Sequence, residues 1–254
     1  MVKPTAQVGA EKRHPLDPPT KEEIEIAGLL LKKKLDDQVV FSSLALVEPN
    51  KHQVVEFDEK GPTTMDCLAR LVRVQGYDTA KKQSFLATVD VSGNVVADVS
   101  YVSDGQAPLN LPDVVRVITI CKTDVNWQDA MRSRGIEDFT HVQIDPWPTG
   151  GYLHPRVPEG HRAMRAISFV REDKFDNGYA RPVQGLIAHV DLTDEKIVFL
   201  EDHGVVEFPP EQGRYQPEHQ QSLREAPKPI SITQPEGTSF KVDRHAVQWQ
   251  KWQF

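Results

Sequence analysis

The sequence predicts an α+β protein in which two small units, each a helix packed on an antiparallel sheet, are followed by an extended connector. Three observations support this prediction. An amphipathic helix near the N-terminus precedes a series of short strand-like runs separated by turns. A strand–turn–strand pattern recurs about 101 residues further along the chain. Prolines then become frequent from residue 207 onward, which favours an extended segment.

Composition is typical of a globular protein with about two domains. The chain has 254 residues, of which 39% are hydrophobic and 26% are charged, and its net charge is −7. Acidic and basic residues are interspersed, which argues against a nucleic-acid partner. No apolar run reaches the roughly 20 residues that span a bilayer, and the N-terminus lacks an apolar signal region. We therefore expect no membrane partner and a cytoplasmic location.

The first unit begins after a tail, residues 1–13, that is predicted to be disordered. Thr20 and Glu23 form a capping-box pattern, and Ala27 and Leu31 follow at helical spacing, which predicts a helix at about 20–36. Strand-like runs follow at 39–47, 53–57, 67–74, 84–91 and 95–102, with separators at 48–50, 61–62, 76–78 and 92–94.

The second unit is predicted to begin after the turn-forming segment 103–108. Segment 111–121 is apolar and rich in β-branched residues, so helix and strand both remain open there. Asp124 is expected to cap a helix that stops at Gly135. Strand-like runs follow at 139–144, 162–171, 185–191 and 196–201, with a tight turn at 192–195.

The two units resemble each other. Residues 85–91, a turn and residues 95–96 mirror residues 186–192, a turn and residues 197–198. A duplicated helix-plus-sheet unit is the interpretation we draw from this pattern. Two unrelated strand–turn–strand segments remain the alternative.

The segment 145–152 reads Asp-Pro-Trp-Pro-Thr-Gly-Gly-Tyr and stands out from the rest of the chain. Its two prolines remove backbone donors on either side of Trp147, so the chain is predicted to leave its sheet there. Tyr152 adds a second aromatic side chain with a polar tip. Such a rigid aromatic loop serves either as a plug of the domain core or as a contact surface, and the sequence leaves both open.

The last residues read as a single strand at 247–254. Its alternation would place aromatic side chains on both faces and leave Trp249, Trp252 and Phe254 exposed. We therefore expect this strand to belong to a larger sheet whose continuation the chain lacks.

No local pattern for catalysis or metal binding is present in the sequence. None of the nine histidines forms a His-x-His or His-x-x-x-His pair. No Gly-x-Ser-x-Gly, phosphate-binding loop or dinucleotide fingerprint occurs. The loop residues His154 and His161, Asp176 and the acidic pairs at 172–173 and 201–202 are expected to be solvated, and Cys67 and Cys121 to be buried reduced thiols. We predict no catalytic residue and no metal ligand.

Several motifs, in order along the chain, resemble those of copper-containing primary amine oxidases. They are His-Pro-Leu-Asp-Pro at 14–18, Gln-Ile-Asp-Pro-Trp-Pro-Thr-Gly-Gly-Tyr at 143–152, Asp-Asn-Gly-Tyr-Ala-Arg-Pro-Val-Gln-Gly-Leu at 176–186, Glu-Asp-His-Gly-Val-Val at 201–206, and the segment 229–252. The likeness covers residues 14–254.

This resemblance implies two domains of cystatin-like topology, N2-like at 14–104 and N3-like at 105–223. A connector and the first strand of a catalytic β-sandwich would follow at 224–254. Enzymes of this family form homodimers and oxidise primary amines to aldehydes with release of ammonia and hydrogen peroxide. They use copper and a topaquinone made from a peptidyl tyrosine.

The catalytic residues of the family cannot be placed on this sequence, which has no Asn-Tyr dipeptide and no His-x-His pair. The resemblance therefore implies no cofactor in this chain itself, and a partner in the form of a missing or separate catalytic domain. It also implies that Trp147, Tyr179 and Pro182 line the substrate channel. The alternative is a stand-alone protein-binding module of cystatin-like fold. The sequence does not determine which amine is the substrate.

Overall fold

The computed structural model describes residues 13–61, 68–211, 213–243 and 246–254. The chain divides into two compact units, Met1–Arg214 and Tyr215–Phe254. The first unit contains two antiparallel four-stranded sheets with helices, and the second contains a three-stranded antiparallel sheet. The predicted α+β class is therefore confirmed.

The first sheet is an antiparallel meander with strand order β1-β2-β3-β4. Helix α1 packs on one face, and its side chains Ala27 and Leu31 join the sheet residues Val72, Val74 and Phe85 in one buried cluster. The elements of this part are α1 (Lys21–Leu35), β1 (Val39–Leu46), α2 (Lys51–Lys60), β2 (Leu71–Asp78), β3 (Gln83–Asp90) and β4 (Val95–Val102).

The predicted first helix is confirmed, together with its capping box. The backbone N–H of Glu23 donates to Thr20 Oγ1 at 3.1 Å, and the N–H of Thr20 donates to the Glu23 carboxylate at 2.8 Å. This reciprocal pair satisfies two N–H groups that would otherwise have no partner at the helix start.

Two of the sequence predictions for this sheet are wrong. Residues 53–57 lie in helix α2 instead of a strand, because Asn50 and Gln53 form a second capping box with hydrogen bonds of 3.0 and 3.1 Å. The separator predicted at 76–78 is the end of strand β2. A Cβ atom on Gly76 would lie 2.5 Å from the Val40 carbonyl oxygen and 2.6 Å from the Phe85 ring. Gly76 therefore allows close packing within the sheet instead of making a turn.

The second sheet repeats this plan with order β5-β6-β7-β8. Segment 111–121, left open by the sequence, is helical, because the Asn110 side chain caps it and Val117 and Cys121 face the core at helical spacing. The predicted helix after Asp124 is also confirmed. The elements are α3 (Leu111–Thr123), α4 (Val125–Arg132), β5 (Gln143–Pro148), β6 (Ala163–Phe169), a 3-10 helix (Gly178–Ala180), β7 (Pro182–Asp191) and β8 (Lys196–Asp202).

The prediction that the chain leaves its sheet at 145–148 is wrong. These residues belong to strand β5 and pair with β6, Pro146 opposite Ala166 and Pro148 opposite Met164. Strand β5 lies at the edge of its sheet. The two prolines are two residues apart, so both take positions whose missing N–H would point to the open edge.

The turns at the ends of β3 and β7 have the same construction. One oxygen of Asp90 accepts hydrogen bonds from the N–H groups two and three residues later, and one oxygen of Asp191 does the same. Asn94 and Glu195 then adopt φ values of 53° and 55°. The irregularities in strand pairing also correspond, at Thr88/Val89 and His189/Val190. All these positions are 101 residues apart, which supports duplication over a chance similarity.

An arginine pairs with a helix start in both halves. Arg70, just before β2, bonds to Glu23 at 3.1 Å. Arg162, just before β6, bonds to Asp113 at 2.5 Å. Each acid is the third residue of its helix, α1 or α3. Both guanidinium groups also donate to backbone carbonyls of the segment that precedes the helix. The pair fastens the helix to the second strand of its sheet in each half.

The two halves of the first unit meet at the turn after β7. The hydroxyl groups of Tyr77 and Thr193 lie 3.1 Å apart, and the Ala107 N–H donates to Ser84 Oγ at 2.9 Å. The Arg162 guanidinium lies 5.6 Å from the centre of the Tyr77 ring. The duplicated turn of the second half therefore contacts the β2 strand of the first half.

The C-terminal unit carries a small sheet with order β11-β10-β9. The prediction of a single strand at 247–254 is wrong, because Gln250 adopts a φ of 55° and the chain reverses there. Strand pairing then places the large apolar side chains of all three strands on one face. The strands are β9 (Phe240–Asp243), β10 (Ala246–Trp249) and β11 (Trp252–Gln253), and the side chains on this aromatic face are Phe240, Val242, Val247, Trp249, Trp252 and Phe254.

Some sequence predictions concern residues that the structure does not describe. Residues 1–12 of the predicted tail and Cys67 lie outside the described residues, whereas Cys121 is a buried free thiol as expected. Within the described ranges, no helix combines the length and apolar character needed to cross a membrane. The domain boundaries at 104/105 and 223/224 stay predictions.

Candidate functional site

An exposed polar and aromatic patch lies on strand β5. Side chains of a strand alternate between faces, so Gln143, Asp145 and Trp147 share one face while Ile144, only 3% exposed, points to the core. Trp147 is 58% exposed. The alternative that this tryptophan plugs the domain core is therefore excluded. Together with Tyr179, these three outward residues form what we call the Asp145 patch.

Hydrogen bonds to the Asp145 carboxylate join Gln143 and Tyr179 within the Asp145 patch. The Tyr179 hydroxyl donates to Asp145 Oδ2 at 2.7 Å, and the Gln143 amide donates to Asp145 Oδ1 at 3.0 Å. The hydrogen bond to Asp145 raises the pKa of the Tyr179 hydroxyl above its ordinary value. Tyr179 is thus a protonated donor at neutral pH, and its ring, 63% exposed, stays at the surface.

The loop that presents Tyr179 is held by local hydrogen bonds, a close glycine contact and one buried ion pair. The Asn177 side chain accepts from the Tyr179 N–H at 3.1 Å. A Cβ on Gly178 would lie 2.9 Å from the Gln143 side chain, so a glycine permits this close approach. Asp176 is 4% exposed and is paired with Arg181. Burial raises the pKa of Asp176, but the Glu172 N–H and Arg181 outweigh burial and hold that pKa below its ordinary value.

Pro182, the third predicted channel residue, is linked to the Asp145 patch only indirectly, through Phe169. It is the first residue of β7 and pairs with Phe169. The Phe169 ring meets the Tyr179 ring edge-on, with the ring centres 5.0 Å apart. The structure therefore bonds Tyr179 to Asp145, which shares a strand face with Trp147 two residues away, and it pairs Pro182 with Phe169, whose ring contacts Tyr179. Sequence reasoning did not select Asp145 or Phe169.

The expectation that the acidic clusters are solvated is wrong for Asp176, whereas Asp202 is exposed but has a specific partner. Asp176 is buried, as described above. Asp202 receives two hydrogen bonds from Arg134, at 2.6 and 3.1 Å, and this partner lies 68 residues away in sequence. The hydrogen bond from Arg134 lowers the pKa of Asp202 below its ordinary value. Both acids are structural anchors whose partners only the fold brings near.

The two loop histidines predicted to be solvated also have partners. His154 stacks on Phe199, with ring centres 4.4 Å apart and planes inclined by 15°. His161 Nδ1 lies 2.7 Å from the Asp191 carboxylate. Folding therefore brings both rings against the second sheet.

One group of metal-ligating side chains stands out geometrically among the described residues. It consists of His161, Asp191 and Asp194. Asp191 already accepts two backbone N–H groups and His161, and Asp194 pairs with Lys196 at 3.2 Å and Lys82 at 3.9 Å. These contacts already occupy the ligand atoms of the group in stabilising the turn after β7, so we do not assign an ion to it.

The chemistry of the Asp145 patch suits an organic cation. It offers a carboxylate flanked by the exposed rings of Trp147 and Tyr179, and ring faces attract ammonium groups. In the described part of the chain, no hydrogen bond or ion pair joins this carboxylate to a cationic side chain.

Two family models match the chain in sequence order. Residues 14–101 match the N2 domain of copper amine oxidase, and residues 112–220 match the N3 domain of copper amine oxidase. Together they cover most of the first unit and reach into the second.

Relatives and solved structures agree with these matches. A primary amine oxidase of Arthrobacter sp. (strain P1) is 33% identical over 244 residues, which are 95% of this chain and 36% of that protein. A histamine oxidase of Arthrobacter globiformis is 30% identical over 98% of this chain and 36% of its own length. A copper-containing benzylamine oxidase from Hansenula polymorpha superposes with a TM-score of 0.72 at 20% identity, over 95% of this chain and 40% of that one.

The chain thus spans about 36% of the length of the curated relatives it matches. The structural match, at 20% identity, supports the fold. The matches to two consecutive domain models of one family decide the assignment. The chain belongs to the copper amine oxidase family, of which it carries the N2 and N3 domains.

Proposed function

We propose that this chain is the N-terminal, non-catalytic region of a copper amine oxidase and that Trp147, Tyr179 and Pro182 border the channel through which a primary amine reaches the catalytic site. The consecutive N2 and N3 matches carry the first part of the proposal. The Asp145 patch supports the second part. Primary alkylamines are cations near neutral pH, since the lysine ammonium has an ordinary pKa of about 10.4.

Electrostatic attraction is the role we assign to the Asp145 patch. A carboxylate beside two exposed rings holds an ammonium group weakly, which raises its local concentration without fixing it. The net charge of −7 adds a general attraction for cations. A channel rim needs such weak binding, because the amine must leave the rim again to move on.

The residues of this chain do not fit copper and topaquinone. The sequence has no Asn-Tyr dipeptide and no His-x-His pair. The hydroxyls of Tyr77, Tyr101 and Tyr179 bond to Thr193, Asp78 and Asp145, none of which is a histidine. In the proposed whole enzyme, amine oxidation to aldehyde, ammonia and hydrogen peroxide takes place in a catalytic domain that these residues do not form. That domain would also supply the homodimer contact.

The aromatic face of the C-terminal unit supports a catalytic-domain partner. Phe240, Trp249 and Trp252 lie side by side across the three strands and are 44%, 45% and 65% exposed. An exposed apolar face of this kind marks an interaction surface. We propose that it packs on the catalytic domain. The cystatin-like topology and the cytoplasmic location stay predictions.

The channel proposal is tested by titrating the isotope-labelled chain with benzylammonium and following backbone amide shifts by NMR. We expect saturable shifts, with a dissociation constant in the millimolar range, at the amides of residues 145, 147 and 178–180, because these residues lie near the carboxylate. Benzyl alcohol, which has the ring but no charge, is the matched ligand control. Asp145→Asn should abolish the shifts, whereas Asp98→Asn, an exposed aspartate on β4, should leave them unchanged. Equal shifts with the alcohol would contradict the proposal.

The second candidate function is a stand-alone binding module of cystatin-like fold, favoured by the exposure of Trp147. Size-exclusion chromatography separates the two. A monomeric chain that unfolds cooperatively favours the module. Aggregation that co-expression with an amine oxidase catalytic domain relieves favours the amine oxidase. Quinone staining and hydrogen peroxide release from benzylamine should both be negative for the chain alone under either function.

A further inference from the structure

The outer face of the second sheet, which points away from its helices, carries two rows of side chains beside the Asp145 patch. Side chains at alternate positions of a strand share a face, and strand pairing aligns them across the sheet. The first row is Asp145, Ile167, Ile187 and Glu201, and the row beside it is Trp147, Arg165, His189 and Phe199. None of these residues is buried, whereas their strand neighbours Ile144, Ala166 and Ala188 lie in the core. The Asp145 patch therefore continues into an aliphatic strip with a cation at its side.

The first sheet carries different side chains at the equivalent positions. Arg73 pairs with Thr88, and Arg165 pairs with His189. These partners are 101 residues apart, so the two arginines are equivalent in the repeat. By the same pairing, the places of Asp145, Trp147 and Ile167 are taken in the first sheet by Ser43, Ala45 and Gln75. Small and polar groups suffice on a sheet face that meets water. The carboxylate, the indole and the aliphatic strip are therefore particular to the second sheet.

An amine whose ammonium group meets Asp145 places its body on apolar side chains. Ile167 lies directly opposite Asp145, and the Cβ atoms of such pairs are about 4.5–5.5 Å apart. Ile187 follows one strand further on. Each methylene that leaves water for an apolar surface strengthens binding by up to about fourfold. The strip therefore favours an aliphatic or aromatic body.

Arg165 determines how this surface treats a second positive charge. It lies opposite Trp147, which makes it the diagonal neighbour of Asp145, with a Cβ separation of about 7–8 Å. Arg165 is exposed, and no ion pair joins it to an acid within the described part of the chain. A second ammonium group on the strip would lose hydration over Ile167 and be repelled by this guanidinium.

The carboxylate at the far end of the strip does not compensate for that loss. Glu201 is three inter-strand spacings from Asp145, which is about 14 Å. A four-carbon diamine is much shorter than this distance. The oxygens of Glu201 also lie 2.7 Å from His203 Nε2 and 3.3 Å from His189 Nε2, so they already have partners. The second end of a short diamine therefore meets isoleucine instead of an acid.

We propose that the Asp145 patch and the strip beside it select primary monoamines with an apolar body over short diamines, and that Ile167 and Arg165 determine this selection. The inference rests on the proposed function of the patch as a channel rim and adds a substrate class to it. Asp145 attracts both kinds of amine. Ile167 strengthens binding of the monoamine, and Arg165 weakens binding of the diamine.

The test compares n-pentylammonium with the doubly charged ion of 1,4-diaminobutane in an NMR titration of the 254-residue chain at pH 7. The two ligands have the same number of non-hydrogen atoms and differ only in the exchange of a terminal methyl for a second ammonium group. We expect the dissociation constant of the diamine to be about fivefold or more above that of the monoamine. Salt at about 0.15 M screens charges more than about 8 Å away, so the net charge of the chain contributes little.

Three variants assign the selection to individual side chains. Arg165→Gln should lower the ratio of the two dissociation constants by about twofold or more, because the diamine gains most from removal of the neighbouring charge. Ile167→Gln places the first sheet's residue on the second sheet, and it should lower the ratio by weakening the monoamine more than the diamine. Arg73→Gln changes the net charge as Arg165→Gln does but lies on the other sheet, so both constants should stay unchanged. None of the three positions is buried, and circular dichroism verifies the fold of each variant.

The possible outcomes separate this selection from the channel-rim function. A diamine that binds as tightly as the monoamine would overturn the selection and leave the channel rim in place. The same holds for a ratio that neither Arg165→Gln nor Ile167→Gln changes, or that Arg73→Gln lowers as much as Arg165→Gln. Absence of shifts near Asp145 with either amine would overturn the channel-rim function and the selection with it.

Discussion

Replacing Arg162 by methionine should destabilise the first unit more than any single surface change. The Arg162 side chain is fully buried and donates to Asp113, at 2.5 and 3.0 Å, and to the carbonyls of Ala107 and Pro108, at 2.8 and 3.0 Å. Methionine has a similar length but no donor. The substitution therefore leaves two carbonyl groups without this donor and leaves the buried Asp113 carboxylate with only the more distant Arg116, at 4.0 Å, as its cationic partner.

The magnitude follows from burial. Breaking a buried ion pair by removing one partner costs about 3–5 kcal/mol, chiefly because the remaining charge is uncompensated. The chain provides a matched comparison in Arg70, whose pair with Glu23 has the same place in the first half but side chains 15% and 21% exposed. Water reaches that pair, so Arg70→Met should cost only about 1–2 kcal/mol.

Urea unfolding at pH 7, followed by near-ultraviolet circular dichroism, measures both variants. With a slope of about 2–3 kcal/mol per molar urea, the midpoint should fall by about 1–2 M for Arg162→Met and by less than about 1 M for Arg70→Met. Adding Asp113→Leu to Arg162→Met should recover about 1–3 kcal/mol, because the stranded charge is gone. Equal midpoints for the two arginine variants would refute the argument from burial.

Three further predictions concern buried groups. Asp176→Asn should lower the free energy of unfolding by about 1–3 kcal/mol at pH 7. The folded-state pKa of Asp176 is depressed, so the difference between the variant and the parent should vanish as pH falls below 3.8 through that folded-state pKa. Urea unfolding repeated at decreasing pH measures this, and a difference that stays constant with pH would contradict the prediction. Burial raises the pKa of the Cys121 thiol to about 12, which disfavours the reactive thiolate. In a Cys67→Ser variant, a thiol reagent at pH 8 should therefore label Cys121 at least a hundredfold more slowly in the native chain than in the unfolded chain. Gly76→Ala should cost about 1–3 kcal/mol in urea unfolding because its Cβ would overlap β1 and β3, whereas Gly151→Ala, with no atom within 4 Å, should stay within about 0.5 kcal/mol of the parent.

Local signals accounted for much of the fold. The capping box at Thr20, the cap at Asp124 and the hairpin turn at 92–94 were all predicted and are present. Each depends on contacts between residues two to four positions apart, which a sequence displays directly. The capping box at Asn50 was a local signal of the same kind, and the β-branched residues after it masked it.

Contacts across the sheets were not readable in the same way. That 145–148 continues a strand depends on β5 being an edge, and edge position is a property of the whole sheet. The aromatic face of the C-terminal unit depends on a reversal at Gln250, which changes which side chains share a face. One unexpected turn was enough to overturn the prediction for eight residues.

The sequence by itself determined the family, the helix starts at Thr20 and Asp124, the hairpin turn at 92–94 and the 101-residue repeat. Only the tertiary structure decided which polar groups meet. It joined Tyr179 to Asp145, Arg134 to Asp202 and His189 to Glu201. The physical reason is the sequence separation of the interacting residues. The hydrogen bonds of caps and turns join residues a few positions apart, whereas a side-chain cluster requires strands that pair only when the whole chain has folded.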